Sequence, residues 1–201
     1  MSKLKSGLIQ MSLKGSTEDS PEQIRDAMLA VSGKLDVTQG QAHPLPPWDQ
    51  KRYGLNGPFN SEFETNRRSV YLLTQRLFNH SFLGLFNPPD RNATTTRRSS
   101  SDVPGQSLFL MNSPYVRKQA EAFAARLLEE RSSNSDRIAW AFQLAYGRSV
   151  TLPEQEHFAD YIQRFQRAAQ TKDTPDPSAN QKLWTSIARV ILTSNEFFFV
   201  D

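Results

Sequence analysis

"PYVRKQAEAFAARLLEERSSNSDRIAWAFQLAYGRSVTLPEQEHFADYIQRFQRAAQ", residues 114–170, contains three amphipathic segments separated by only a few residues each. In the first, Val116, Ala120, Phe123, Ala124, Leu127 and Leu128 recur at steps of three and four, which puts them on one face of a helix. Asn112-Ser113-Pro114 supplies its start. The second runs from Asp136 to Tyr146, with Ile138, Ala139, Phe142 and Ala145 inward and Gly147 as its stop. Thr151-Leu152-Pro153-Glu154 reads as a capping box opening the third, with Phe158, Tyr161, Ile162 and Phe165 inward. Asp160 and Arg164 form an exposed pair one turn apart. Beyond a polar connection holding Pro175 and Pro177, a last helix carries Leu183, Trp184, Ile187, Ala188, Ile191 and Leu192, a stripe wide enough to require burial. Short loops between consecutive amphipathic helices predict an antiparallel bundle, with residues 112–194 as its four-helix portion. Trp140, Phe142, Trp184, Phe197, Phe198 and Phe199 are expected in its core.

Toward the N-terminus the pattern loosens. Residues 1–19 are polar and aperiodic and read as a tail, and residues 20–201 read as one helical domain. Ser20-Pro21-Glu22-Gln23 has the form of a helix start, Ile24, Met28, Leu29 and Val31 make an apolar face, and Gly33 ends it. Residues 37–65 are dense in Gly, Pro, Asn and Gln and predict a long irregular loop. Arg68 to Leu73 fits a short strand or a helix start equally well. Phe78–Phe86 and Pro104–Met111 each suit a short helix, with a Thr/Ser/Arg loop over 92–102 between them. The fold class expected is mainly α, with a loop-rich, arginine-rich N-terminal half and little or no sheet.

The chain has 201 residues, enough for one ordinary domain, and 13 of them are Phe, enough large side chains for a core. It has no cysteine. Disulfides, thiolate metal sites and covalently attached c-type haem are thereby excluded for this chain. No apolar run reaches the ~18–20 residues of a membrane span. Met1–Gln10 carries Lys3 and Lys5 but no long apolar stretch, so it does not read as a signal peptide.

A net charge of +3 is too small to imply nucleic acid, and aromatics do not interleave with the basic run. The distribution of charge says more. Residues 67–101 hold six arginines (Arg67, Arg68, Arg76, Arg91, Arg97, Arg98) against the single acid Asp90, while the rest of the chain is slightly acidic. Guanidinium groups suit carboxylate, phosphate or sulfate by bidentate contact, and they equally suit backbone carbonyls in a long irregular chain. Burial separates the two. On this reading Arg68 is internal, locking the 37–65 loop onto the bundle, with Asp26 and Asp90 among its possible acids. Arg97 and Arg98, on a Ser/Thr loop, are the more exposed.

Chemistry-bearing motifs are sparse. His43, His80 and His157 lie far apart, without metal-ligand spacing. Ser99-Ser100-Ser101-Asp102 has no histidine near it in sequence to act as base. Glu129, Glu130, Glu154 and Glu156 fall at helix ends, where solvation is expected. No catalytic residue, metal ligand or cofactor is assigned to this chain. The binding candidates are Arg67, Arg68, Arg97, Arg98, Gln106 and Asn112.

Read together, residues 24–36 ("IRDAMLAVSGKLD"), 67–76 ("RRSVYLLTQR"), 85–127, 137–156 and 190–201 ("VILTSNEFFFVD") resemble a planctomycete-type bacterial family, the domain of unknown function 1553. Arg25-Asp26 match its arginine–aspartate pair, Arg67-Arg68 its paired arginine, and Pro104, Gln106, Leu108 and Asn112 its "PxQxLxxxN" run. A family "LFD" turn is here Leu85-Phe86-Asn87, an amide in place of a carboxylate. The resemblance implies a C-terminal module of large secreted or periplasmic proteins, preceded by a partner domain and often by a c-type cytochrome domain. It implies no established activity. Two roles follow as expectations. One is a non-catalytic helical module docking to a partner domain or envelope protein. The other is a share in an active site completed by that partner domain, acting on a sulfated or other anionic polysaccharide, in which Arg68, Arg97, Arg98, Gln106 and Asn112 face a shared cleft.

Overall fold

The computed structural model describes residues 21–40, 64–72, 80–84, 108, 110–170 and 176–198. Besides the helical residues 108 and 110–112, seven α-helices occur among them: α1 (Pro21–Val31), α2 (Ser81–Gly84), α3 (Pro114–Glu130), α4 (Asn134–Ala145), α5 (Leu152–Gln170), α6 (Ala179–Leu192) and α7 (Asn195–Phe198). Ser69–Tyr71 forms one turn of 3-10 helix, which settles the ambiguity of that stretch. The only extended pairing among the described residues is a parallel bridge between Asp36 and Arg67. The mainly α expectation holds.

The centre of the molecule is α3 against α6. Val116, Ala120, Phe123, Ala124 and Leu127 meet Leu183, Trp184, Ile187, Ala188, Ile191 and Leu192, all buried. Alanines at 120, 124 and 188 keep the facing ridges low, so larger neighbours can interdigitate. The Gln181 amide donates to the Glu121 carbonyl and the Arg189 guanidinium to the Met111 carbonyl. One helix number rises as the other falls, so the pair is antiparallel. Ser113 caps α3 in extended geometry with Pro114 in its first turn, where the missing N–H costs nothing.

α4 starts two residues before the expected point, because Ser133 is its cap: the hydroxyl accepts from the Asp136 N–H at 3.0 Å. Its buried side is Ile138, Ala141, Phe142, Leu144 and Ala145. Ala139, expected inward, is exposed because it turns toward a surface groove instead. α5 opens on the predicted capping box, with the Thr151 N–H and hydroxyl both donating to Glu154 Oε2 at 2.8 and 2.7 Å. Of its expected inward residues only Ile162 is fully buried; Phe158 and Phe165 are half-buried, and Tyr161 is 41% exposed. At ~1.5–3 kcal/mol per fully buried large apolar side chain, one such residue secures α5 far less than five secure α6. α5 is an edge helix.

α1 completes the core through Ile24, Met28, Leu29 and Val31. It ends as the sequence predicts: Gly33 sits at φ 74°, and the Lys34 N–H reaches the Leu29 carbonyl at 2.8 Å. Arg126 of α3 donates to the last carbonyls of α1, Ala30 and Val31. Buried Ser32 donates to Gln119 Oε1 at 2.8 Å, a second tie between the two helices. Residues 81–84 and 108 with 110–111 are helical, within the two short helices expected there, and Asn112 is helical one residue beyond the second. The tail, most of the 37–65 loop, the 85–87 turn and the 92–102 loop lie outside the described residues.

Candidate functional site

The charged residues of α1 and of the 64–71 segment converge. Arg25 lies on the buried face of α1, 2% exposed, between Ile24 and Met28. Its guanidinium donates to the Arg67 carbonyl at 3.0 Å, to Ser69 Oγ at 3.1 Å and to the Thr65 carbonyl. Beside it, Asp26 accepts the Ser69 N–H at 2.7 Å and lies 3.7 Å from Arg25 Nη1. Arg68 Nε stands 3.6 Å from the other Asp26 oxygen. One step outward, Arg67 Nε is 3.8 Å from Asp36, whose carboxyl is held below the usual range chiefly by the Thr38 N–H and hydroxyl. The Tyr115 hydroxyl faces the Arg25 carbonyl at 3.5 Å, and burial pushes its pKa well up, so it stays protonated. Lys118 pins the same segment from α3 through Glu64 at 2.8 Å.

This arrangement is a clasp. A buried cation that gives its two terminal nitrogens to two carbonyls and a hydroxyl, beside a neighbouring carboxylate and with its Nε left without a partner, fixes an irregular segment against a helix. It corrects one expectation directly. Arg68 is 52% exposed; the internal arginine is Arg25. The reason is reach. Arg25 projects from a helix already docked in the core, so it meets the 64–69 backbone from inside, whereas Arg68 lies on the outer side of that segment. A signal was present in the sequence, since position 25 falls on the apolar stripe of α1.

Of the other binding candidates, Arg67 is at the clasp edge and Asn112 is exposed, donating its amide to the Leu108 carbonyl at 2.9 Å. Arg97, Arg98 and Gln106 lie outside the described residues. His80 accepts the Phe82 N–H through Nδ1, and His157 is exposed. Among the described residues no group of three or more His, Cys, Asp and Glu side chains could hold a metal ion. Nor is any described helix long and apolar enough to cross a membrane.

Two helix-end carboxylates expected to be solvated are engaged instead. Glu130 accepts from Trp140 Nε1 at 2.6 Å and from Arg126 Nε at 3.0 Å. Burial pushes its pKa up, but these donors outweigh it and hold the carboxyl below the ordinary value. Glu154 and Glu196 grip Arg148 from two sides at 2.5–2.9 Å, joining the α4–α5 turn to α7. The Arg148 hydrogen bond, helped by Thr151, lowers the Glu154 pKa from 4.5 to about 2. A carboxylate held below its unfolded value stabilises the fold when ionised, so this contribution is complete above about pH 4.5 and disappears as pH falls toward 2. Thermal midpoints followed from about pH 5 to about pH 2 should fall less steeply in Glu154→Gln than in the wild type. Parallel acid limbs would show that this ion pair contributes nothing.

A family described as "PSD1: Protein of unknown function (DUF1553)" matches residues 17–162. Neither a curated protein nor a solved structure matches the chain.

Proposed function

The chain belongs to the PSD1 family of proteins of unknown function (DUF1553), and from that premise we propose that it is a non-catalytic helical docking module of a secreted or cell-envelope assembly. The observation that carries this reading is a set of large apolar side chains left exposed before the start of α3 and in the last turn of α6. Leu108, Met111 and Val190 are 64%, 61% and 60% exposed. The Arg189 guanidinium bonded to the Met111 carbonyl ties Met111 to the last turn of α6. Large exposed apolar side chains fit a protein surface and offer little to a polyanion. The clasp supports the same role, since Arg25, Asp26 and Ser69 are spent on holding the frame rigid.

A second reading has one observation in its favour. Arg68 keeps half its surface in solvent, where with Arg97 and Arg98 it would suit a sulfated polysaccharide.

One experiment separates them. The chain is titrated by calorimetry with the separately produced partner domain that precedes this module in similar proteins, and then with heparin. Docking predicts saturable binding to the domain that weakens at least about 10-fold in Met111→Asp/Val190→Asp, as expected for anchors at an interface centre. Binding to heparin alone, abolished in Arg68→Ala/Arg97→Ala/Arg98→Ala, would replace docking with the polysaccharide reading.

A further inference from the structure

α7 is held differently from the helix it follows. α6 buries Leu183, Trp184, Ile187, Ala188, Ile191 and Leu192, whereas α7 is one short turn, Asn195–Phe198, whose buried residues are Phe197 and Phe198. No other described helix packs closely along it. The end of α6 is closed without it. Thr193 donates its N–H and its hydroxyl to the Arg189 carbonyl at 3.0 and 2.8 Å, and the Ser194 hydroxyl reaches the Ile191 carbonyl at 2.9 Å. The last-turn carbonyls of Arg189 and Ile191 are thus satisfied inside the connecting turn.

From that turn onward, polar ties run to the α4–α5 connection. Arg148 Nε and Nη2 donate to Glu196 at 2.5 and 2.7 Å, and the Tyr146 hydroxyl lies 2.9 Å from Ser194 Oγ. Arg148 has a second carboxylate, donating through Nη1 and Nη2 to Glu154 at 2.9 and 2.7 Å. The two glutamates are not equivalent. Glu154 is fixed from its own side by the Thr151 N–H and hydroxyl, whereas Glu196 is carried on α7. When Glu196 leaves, Arg148 keeps both bonds to Glu154 and its place over the Phe142 ring, so no buried charge is stranded. Glu196, already 44% exposed, passes to water at little desolvation cost, and a pair this exposed is open to screening by salt.

We propose that α7 is a salt-sensitive strap, latched by Glu196 on Arg148, that opens as a unit of its own while the α3–α6 core and the α4–α5 turn stay folded. Opening brings Phe197 and Phe198 into solvent and vacates the apolar seat they fill. Two rings and an exposed ion pair oppose it, against six buried side chains on α6, which places α7 toward the low-stability end of the fold. The argument for the strap uses neither reading of function above, and both stand if it fails.

The test is amide hydrogen exchange of the whole chain, followed by NMR in about 0.05 M and about 0.5 M sodium chloride. At low salt the α7 amides should exchange at least about 10-fold faster than those of Trp184 to Ile191. High salt should speed α7 a further two- to five-fold or so, about what an exposed ion pair contributes, and leave α6 unchanged. Glu196→Gln should exchange at the high-salt rate in both solutions. Glu129→Gln, the same charge change at an exposed position on α3, should keep the wild-type salt response. Exchange of α7 and α6 at one common rate would overturn the strap, since opening would then be global. An equal salt response in wild type and Glu196→Gln would overturn the latch.

Discussion

Arg25→Ala is expected to lower stability by about 3–5 kcal/mol, the loss typical when one member of a buried charged network is removed. The substitution leaves the Thr65 and Arg67 carbonyls and Ser69 Oγ without their donor, in a site where Arg25 itself is only 2% exposed. It also leaves the Asp26 carboxylate with only the half-exposed Arg68 as counter-charge. Lysine should not rescue it. Its single ammonium cannot span two carbonyls and a hydroxyl that the planar guanidinium meets together. Arg68→Ala, removing a half-exposed partner 3.6 Å from the same carboxylate, should cost under about 1 kcal/mol. Urea midpoints for the three variants check this. Equal losses for Arg25→Ala and Arg68→Ala would mean that the clasp is not organised around Arg25.

Phe142→Ala should cost about 3–5 kcal/mol as well, through lost transfer energy and the cavity left behind. Phe142 is 3% exposed and meets Tyr146 and Phe158 edge-on at 5.1 and 5.7 Å. Arg148 lies over the same ring, 5.1 Å from its centroid, so the aromatic cluster also backs the Glu154–Arg148–Glu196 junction. The cavity would open under the edge helix α5, which has little else to hold it. Chemical denaturation would show the loss, and an unchanged midpoint would contradict the placement of this ring. Phe142→Leu, which refills most of the volume, should recover a large part of it.

The helices were legible because their signals are local. Three- and four-residue spacing in 114–128, 138–145 and 183–192, the Thr151–Glu154 box and the Gly33 stop are written in contiguous residues, and a helix face needs no distant partner to be recognised. Depth of burial was not legible in the same way. The spacing of Phe158, Tyr161, Ile162 and Phe165 marks a face but not how much lies against it, and at the edge of the bundle α5 has too little neighbour to cover Tyr161. The carboxylates at 130 and 154 misled for a related reason. A helix-end glutamate is solvated unless something comes to meet it, and here Trp140 and Arg148 do.

By itself, then, the sequence determined that the chain is mainly helical, that the Thr151–Glu154 box opens one helix and Gly33 closes another, where the apolar stripes run and which family its motifs resemble. Tertiary structure alone decided which charges are buried, because burial of an arginine depends on what is brought to it across forty residues. Arg25 and the 64–69 backbone are such a pair: the stripe that buries Arg25 is local, but the carbonyls and hydroxyl that make its burial affordable arrive only when the chain has folded.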